Sequence, residues 1–575
     1  MFLLNVCLCA GVVLSFPQFA HQSCTEGTPK QCMEAEAAPG TNLAGEGFDI
    51  TTMARKGAFV IDMSRWQRKD KKCTLCVNPY LEMKRQKLPL SVVHWRPTHS
   101  CSMKVSSQLH RSSEDLLSSS ISSVENDWKV GLEVNAKNKA SIMMAGTNSK
   151  LANYAMDKTK NDKYSFTSQA MSCEYYRYRI SNTPRVHREF NKAVKKLPKT
   201  YDHSSKQQYY KLIDNFGTHY ITQVKLGGSI QTVTSVKQCQ ASLQGLSVEE
   251  VQMCLEVEAS ATIHVITVES QVKHCKKDME KSESKSSFSS LFRDRFVDIK
   301  GGSTTEPDLL FSADVSPSAY KDWLNTLPQN PDIVSYSLDP LHQLVSPKSP
   351  WYANLRSAIS HYILEKALMR NCSESCQTGI KGSRDPCVCQ CHNTPAVTPD
   401  CCPVRKGMAR VMITVQKAEN LWGDHGSATD GYVKVLFNDK IVQQSHVINN
   451  NNNPKWNTIV DLHAQDLSSG QKVRFEVWDE DSGWDNDLLG VCEQIVAPGV
   501  KSDVCALQHG RLFFKLEITC APSLAGDSCM QYMPSPMRSS LKKLYVSRHS
   551  HPIPRDVLLD MGVFVDRPPK NQSLT

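Results

Sequence analysis

Seven cysteines, Cys372, Cys376, Cys387, Cys389, Cys391, Cys401 and Cys402, fall within about thirty residues that hold few other apolar side chains. Such a stretch cannot assemble a hydrophobic core, so disulfides must hold it together. Seven is odd, so one of these cysteines should reach outside the cluster. The alternative, zinc held with His392, needs reduced thiols, which the secretory route does not keep. The rest of the chain points to that route. Residues 1–20 carry an apolar run, Val6 to Leu14, ahead of Pro17, and read as a secretory signal peptide without the usual positive start. Losing Cys7 and Cys9 with it leaves an even number of the 22 cysteines. Asn371-Cys372-Ser373 and Asn571-Gln572-Ser573 are glycosylation sequons. Cys24, Cys32, Cys73, Cys76 and Cys101 crowd residues 21–110. The Cys73-Thr74-Leu75-Cys76 spacing has no matching second pair at zinc spacing, so structural disulfides are expected there.

At 575 residues the chain is too long for one core, and three or four domains are expected. With 40% hydrophobic and 22% charged residues it has a globular composition. The net charge of +9 favours an anionic membrane surface, but it is spread out and accompanies no nucleic-acid motif. No nucleophile–His–Asp constellation is visible, so no enzyme is expected. After the signal segment no apolar run reaches the ~18–20 residues of a spanning helix. If the chain crosses a bilayer it must do so as strands of a closed barrel, because an open strand edge leaves backbone groups unpaired in hydrocarbon.

Hydrophobic periodicity then orders the chain. Asp127 to Met144 reads as strand, with Val130, Leu132 and Val134 alternating with polar neighbours. Within Gly146 to Gln169, Leu151, Ala155 and Lys158 fall at helical spacing in a polar segment. Tyr164 to Phe166 and Ser172 to Ile180 return to strand, and 185–215 reads as helix with Phe190, Val194 and Leu197 inward. Tyr220, Thr222, Val224 and Leu226 alternate with Ile221, Gln223 and Lys225, and strand continues from Gly228 to Val236. Cys239 to Cys254 reads as a short loop or helix pinned by a disulfide. From Leu255 to Ile266 a long strand is expected, because Leu255, Val257, Ala259, Ala261, Ile263 and Val265 make one apolar face. Residues 270–300 mix Lys and Ser, with Phe288, Phe292 and Phe296 on a helix face. Trp351 to Met369 reads as a buried helix.

One short motif gives this order a meaning. Phe216-Gly217-Thr218-His219-Tyr220 is followed six residues later by Gly227-Gly228, a pair that lets the backbone bend or take positive φ. The motif resembles the signature of the membrane attack complex/perforin (MACPF) family of pore formers. Asn42 to Ile50 resembles the start of that family's domain. The resemblance implies a multidomain α+β protein. A MACPF domain over 21–370 would carry a bent antiparallel sheet flanked by two helical clusters, roughly Ser149–Gln169 and Ser270–Ile299. In the family these clusters unravel into amphipathic hairpins that enter the membrane. Two hairpins supply four strands, whereas the smallest membrane barrels need ~8, so a homo-oligomer is implied. Residues 371–407 resemble a disulfide-rich EGF-like module. The tail, 521–575, is basic and proline-punctuated and is expected to be disordered. A glycan on Asn571 would obstruct assembly until the tail is removed. The resemblance further implies secretion, storage in acidic cytolytic granules beside granule proteases, and action on a target-cell membrane. A non-lytic calcium-dependent adhesion protein could use the same fold.

Residues 408–520 read as an all-β sandwich with two acidic loops. One loop carries Asp424 and Asp430, and the other Asp479, Asp481, Asp485 and Asp487. Carboxylates packed on loop tips repel unless a hard cation neutralises them, and Ca²⁺ takes 6–8 oxygen ligands in flexible geometry. With Asn-Pro-Lys-Trp-Asn at 453–457 and Asp-Gly-Tyr-Val-Lys-Val at 430–435, the segment resembles a calcium-dependent lipid-binding C2 domain. The resemblance assigns Asp424, Asp430, Asp479, Asp481 and Asp487 as ligands, with Asp485 in a second tier. Trp422 and Trp484 flank the loops and suit the headgroup region of a phospholipid membrane.

Overall fold

The computed structural model describes residues 24–537 and 541–543, apart from 103, 135–141, 266, 282–286, 313–315, 371–374, 384–385, 424–425 and 482–484. The expected signal segment, both sequons' Asn371 and Asn571, Asp424 and Trp484 lie outside the described residues.

The strand that follows the glycine-threonine-histidine motif, His219–Lys237, is the spine of the first body. On one side it pairs antiparallel with Tyr164–Ile180, from Gln223 opposite Arg179 to Lys237 opposite Tyr164. On the other side it pairs with two shorter strands in succession. Asp332–Pro340 covers His219 to Gly227, and Arg295–Lys300 covers Ser229 to Thr234. Tyr164–Ile180 likewise carries two partners on its far edge, Val92–Cys101 and Ser106–His110. A disulfide between the opposed Cys101 and Cys173 fastens that edge.

The glycine pair sits where the edge partners change, but it does not take positive φ. Close approach is what requires it. A Cβ on Gly227 would stand 1.9 Å from the Cys173 carbonyl oxygen, and one on Gly228 would meet Leu327 and Trp323 at 2.4 and 2.6 Å. The ladder to Tyr164–Ile180 shifts register at this point, between Leu226 and Gly227. A second shift, between Ile221 and Gln223 against Asp332–Pro340, adds one residue, so Ile221 and Val224, paired with Leu338 and Tyr336, share a face and the expected strict alternation fails there.

Helices pack against this sheet in two groups. Lys150–Asn161 starts on Ser149, whose side chain accepts from the Ala152 N–H, and buries Leu151, Ala152, Ala155 and Thr159. Residues 185–215 form two helices, Arg188–Lys195 and Lys206–Phe216, rather than one. The expected strand at 255–266 is instead helix, Val248–Thr262. A capping box of Ser247 and Glu250 starts it, and Val248, Val251, Cys254, Leu255, Ala259 and Thr262 are buried at helical spacing. Cys254 is bonded to Cys275 on the next helix, Glu269–Lys281, and Cys239 to Cys402, so the segment from Cys239 to Cys254 is pinned at both ends by disulfides to residues outside it. Phe288 ends up in a short helix but Phe296 in a strand, so the three phenylalanines do not share a helix face. Residues 127–134 are turn rather than strand, with Val130 exposed and Leu132 and Val134 buried. The helix expected from Trp351 is Pro350–Lys366.

Among the described residues of the cysteine-rich stretch, Cys376–Cys389 and Cys391–Cys401 close within it, and Cys402 bonds outward to Cys239. Near the start of the chain, Cys24–Cys76 and Cys32–Cys73 are the expected structural disulfides. Residues 408–520 form two four-stranded antiparallel sheets around Val433, Phe475 and Phe514, among others. The segment after them is not disordered up to residue 537. Cys520–Cys529 folds it back, and Tyr532 OH donates to Asp162 Oδ2 at 2.7 Å. The Ser535 and Met537 N–H groups donate to Asp162 Oδ1 and the Thr159 carbonyl, each at 2.9 Å. These bonds tie the segment to polar groups at the end of helix Lys150–Asn161, where Asp162 Oδ1 also accepts from the Lys163 N–H at 2.8 Å. Among the described residues no helix is long and apolar enough to cross a membrane.

Candidate functional site

Two regions of the structure concern function: the end of the large sheet and the acidic loops of the sandwich. In the sheet, Gly217 takes φ of 87°, and a Cβ there would stand 2.5 Å from the Phe48 carbonyl oxygen. The opposing Gly47 is as constrained, since its Cβ would meet the Phe216 carbonyl oxygen at 1.6 Å. This contact lets Thr218 stitch three segments together. Its N–H donates to the Phe48 carbonyl at 2.8 Å, its hydroxyl accepts from the Ile50 N–H at 3.0 Å, and its carbonyl accepts from the Leu341 N–H at 3.0 Å. His219 is fully buried beside it. Nε2 lies 3.0 Å from the Trp128 carbonyl and must carry the proton, leaving Nδ1 to accept from the Thr218 hydroxyl at 2.8 Å. Burial pushes the imidazole down to about 4, and nearby His342 adds to the effect. Phe216 packs its ring on Phe190 at 5.2 Å, and Tyr220 is buried. The motif therefore locks the base of the sheet.

The opposite end of the sheet is where the helices attach. Lys237 pairs with Tyr164, His110 with Phe166 and Arg295 with Thr234. These four neighbouring strands thus stop within three residues of one another. The interval from His110 to Tyr164 holds the first helical group, and the interval from Lys237 to Arg295 holds the second. The helical clusters expected at Ser149–Gln169 and Ser270–Ile299 have other bounds. Residues 164–169 and 295–299 are already sheet, while helix Val248–Thr262 lies inside the second interval.

In the sandwich, strand register builds the acidic site. Gly431 pairs with Asp479 and Asp479 with Asp487, so Asp430, Asp479 and Asp487 stand side by side at the tips of three neighbouring strands. Asp479 is buried, and its Oδ1 accepts from the Asp430 N–H at 2.6 Å. Asp430 Oδ1 accepts from the Asn450 N–H at 2.6 Å. The asparagine run has a job that its sequence did not disclose: Asn452 and Asn453 side chains accept from the Thr429 and Asn420 N–H groups, holding the loop bases. Gly423 forms the opposite wall, where a Cβ would stand 1.8 Å from Asp479 Oδ2. Asn486 accepts from the Asp481 N–H at 3.2 Å and donates to Tyr432 OH at 3.0 Å, so it organises the second loop. Asp485 and Asp487 are exposed and Asp481 is half-buried. Trp422 is 47% exposed, its ring 5.1 Å from that of His509. An all-oxygen donor set with a glycine wall fits a hard divalent cation such as Ca²⁺.

The family model of the MAC/Perforin domain matches residues 37–372. The chain belongs to the MAC/perforin family. The C2-domain model matches residues 409–504 of this MAC/perforin chain, and the Perforin-1-like EGF-domain model matches 371–404. Perforin-1 of Mus musculus is 39% identical over 531 residues, spanning 91% of this chain and 96% of that protein. Perforin-1 of Homo sapiens is 38% identical over 518 residues, spanning 89% and 93%. The complement component C8 beta chain of Paralichthys olivaceus is 26% identical over 239 residues, 39% of this chain and 40% of that one. The protein is thus a pore-forming, membrane-binding member of the family with an EGF-like and a C2 domain, and pore formers of this family are not enzymes.

Proposed function

We propose that this protein is a calcium-dependent cytolysin of secretory granules that docks through its C2 domain, assembles into a ring and inserts two hairpins per subunit. The observation that carries the reading is that four neighbouring strands stop within three residues of one another at one end of the sheet. Both helical groups begin and end there, so each can lengthen the sheet by continuing a ladder whose register is already set. Each interval is much longer than two membrane strands of ~10 residues. Helix Val248–Thr262 also contains the period-two pattern of Leu255, Val257, Ala259 and Ala261 against Glu256, Glu258, Ser260 and Thr262. That pattern is silent in a helix and gives one lipid face in a strand. A single chain cannot satisfy the edges of its hairpins in hydrocarbon, so insertion goes with assembly.

Asp424, Asp430, Asp479, Asp481 and Asp487 would hold Ca²⁺, with Asp485 at the rim. The bound cation would cancel the loop charge that otherwise keeps Trp422 and Trp484 from a phospholipid surface. Tyr154 of the first group touches the base of the second group, its OH donating to the Asp294 carbonyl at 3.0 Å. Tyr154→Cys with Asp294→Cys, joined by a short bis-maleimide, should therefore abolish dye release from vesicles while leaving calcium-dependent vesicle binding unchanged. Full dye release from the linked protein would overturn the insertion step. Calcium-dependent binding of the unlinked protein without any release would favour a non-lytic adhesion protein.

A further inference from the structure

We propose that Glu250, His274 and Asp278 form a site for a transition-metal dication of the zinc type, and that the bound metal clamps the second helical group shut. Glu250 lies on helix Val248–Thr262, and His274 and Asp278 lie four residues apart on helix Glu269–Lys281. Their donor atoms all fall within 4.8 Å of one another. His274 Nε2 is 3.1 Å from Asp278 Oδ2 and 3.8 Å from Glu250 Oε1. Ligands on a tetrahedral zinc stand ~3.3 Å apart, so small side-chain rotations complete the set.

The scaffold is already fixed. Glu250 spends Oε2 on the Ser247 N–H and hydroxyl, at 2.7 and 2.9 Å, which orients the carboxylate and leaves Oε1 toward the imidazole. The Cys254–Cys275 disulfide joins the two helices next to His274. The Asp278 side chain is fully buried, so the packing around it holds its carboxylate in place beside the imidazole. His274 is half-exposed and opens the site to solvent, leaving room for a water as fourth ligand. One imidazole nitrogen and two carboxylates suit zinc, whereas Ca²⁺ asks for more, and only oxygen, donors.

The consequence for insertion rests on the function proposed above. Residues four apart are neighbours on a helix but ~13 Å apart along a strand. A metal held by both His274 and Asp278 is thus compatible with the helix and not with the hairpin.

Zinc chloride titrated into the full-length protein in calcium-free buffer, against a chromophoric zinc indicator, tests the site. The native protein should take up one equivalent more than His274→Ala, with affinity at that site falling at least tenfold in the variant. Glu250→Gln keeps the helix cap but not the charge and should give a similar loss. Equal uptake by native protein and both variants would overturn the site. Zinc added after calcium-dependent docking should slow dye release by the native protein and not by His274→Ala; equal slowing, or none, would overturn the clamp. Failure of the zinc-free protein to release dye would instead count against the pore-forming step, with the site still decided by uptake.

Discussion

Lowering the pH should loosen the sheet base through His219. Its imidazole has no room for a second proton: Nδ1 accepts from Thr218, whose hydroxyl is held by the Ile50 N–H, and the ring stands edge-on to Trp128 at 5.6 Å. His342, which acts on His219, is itself pushed down to about 4 by burial, with Arg356 adding to the effect. A folded-state value of about 4 against 6.5 unfolded means that the unfolded chain binds the proton first. The stabilisation is therefore complete above pH 6.5 and drains away as pH falls from 6.5 toward 4. At about pH 5 the loss from His219 alone is about 2 kcal/mol, and His342 adds a comparable amount. Urea unfolding of the full-length protein in calcium-free buffer, followed by tryptophan fluorescence at about pH 7.5 and about pH 5, measures it. His219→Gln keeps a donor toward the Trp128 carbonyl and cannot titrate. It should be less stable than native protein at the higher pH, yet lose about 2 kcal/mol less between the two conditions. A variant whose stability falls with pH as steeply as the native protein's would refute the assignment.

Three other outcomes are expected. Asp479→Asn removes a charge from the middle of the acidic row, and should weaken calcium-dependent vesicle binding at least tenfold in a flotation assay while leaving the unfolding midpoint of the large domain unchanged. Gly227→Ala drives a methyl group against the Cys173 carbonyl and should cost about 3 kcal/mol or more, read as loss of secreted, folded protein. Tyr532→Phe deletes a bond to the Asp162 carboxylate and should cost about 1.5 kcal/mol locally, read as faster hydrogen exchange at Ser535 and Met537.

Much of this architecture is written locally. The cysteine cluster demanded cross-links because it has no core, and its odd count required a bond outward, which Cys402 makes with Cys239. The Gly-Thr-His motif, the glycine pair and the acidic loops are short-range patterns whose chemistry can be read from residue type alone. Three-dimensional packing decided the rest. Residues 255–262 satisfy a period of two and a helical period at once, and a sequence cannot choose between two faces when either could be buried. The capping box, the Cys254–Cys275 bond and burial against neighbouring helices select helix in this state. The ordered tail was illegible because its anchors, Thr159 and Asp162, lie far away in sequence. The same holds for Glu250, His274 and Asp278, whose donors converge only when two helices fold side by side. Local chemistry fixes what each segment is able to become, whereas the choice among those forms rests on contacts between distant residues, which exist only once the chain has folded.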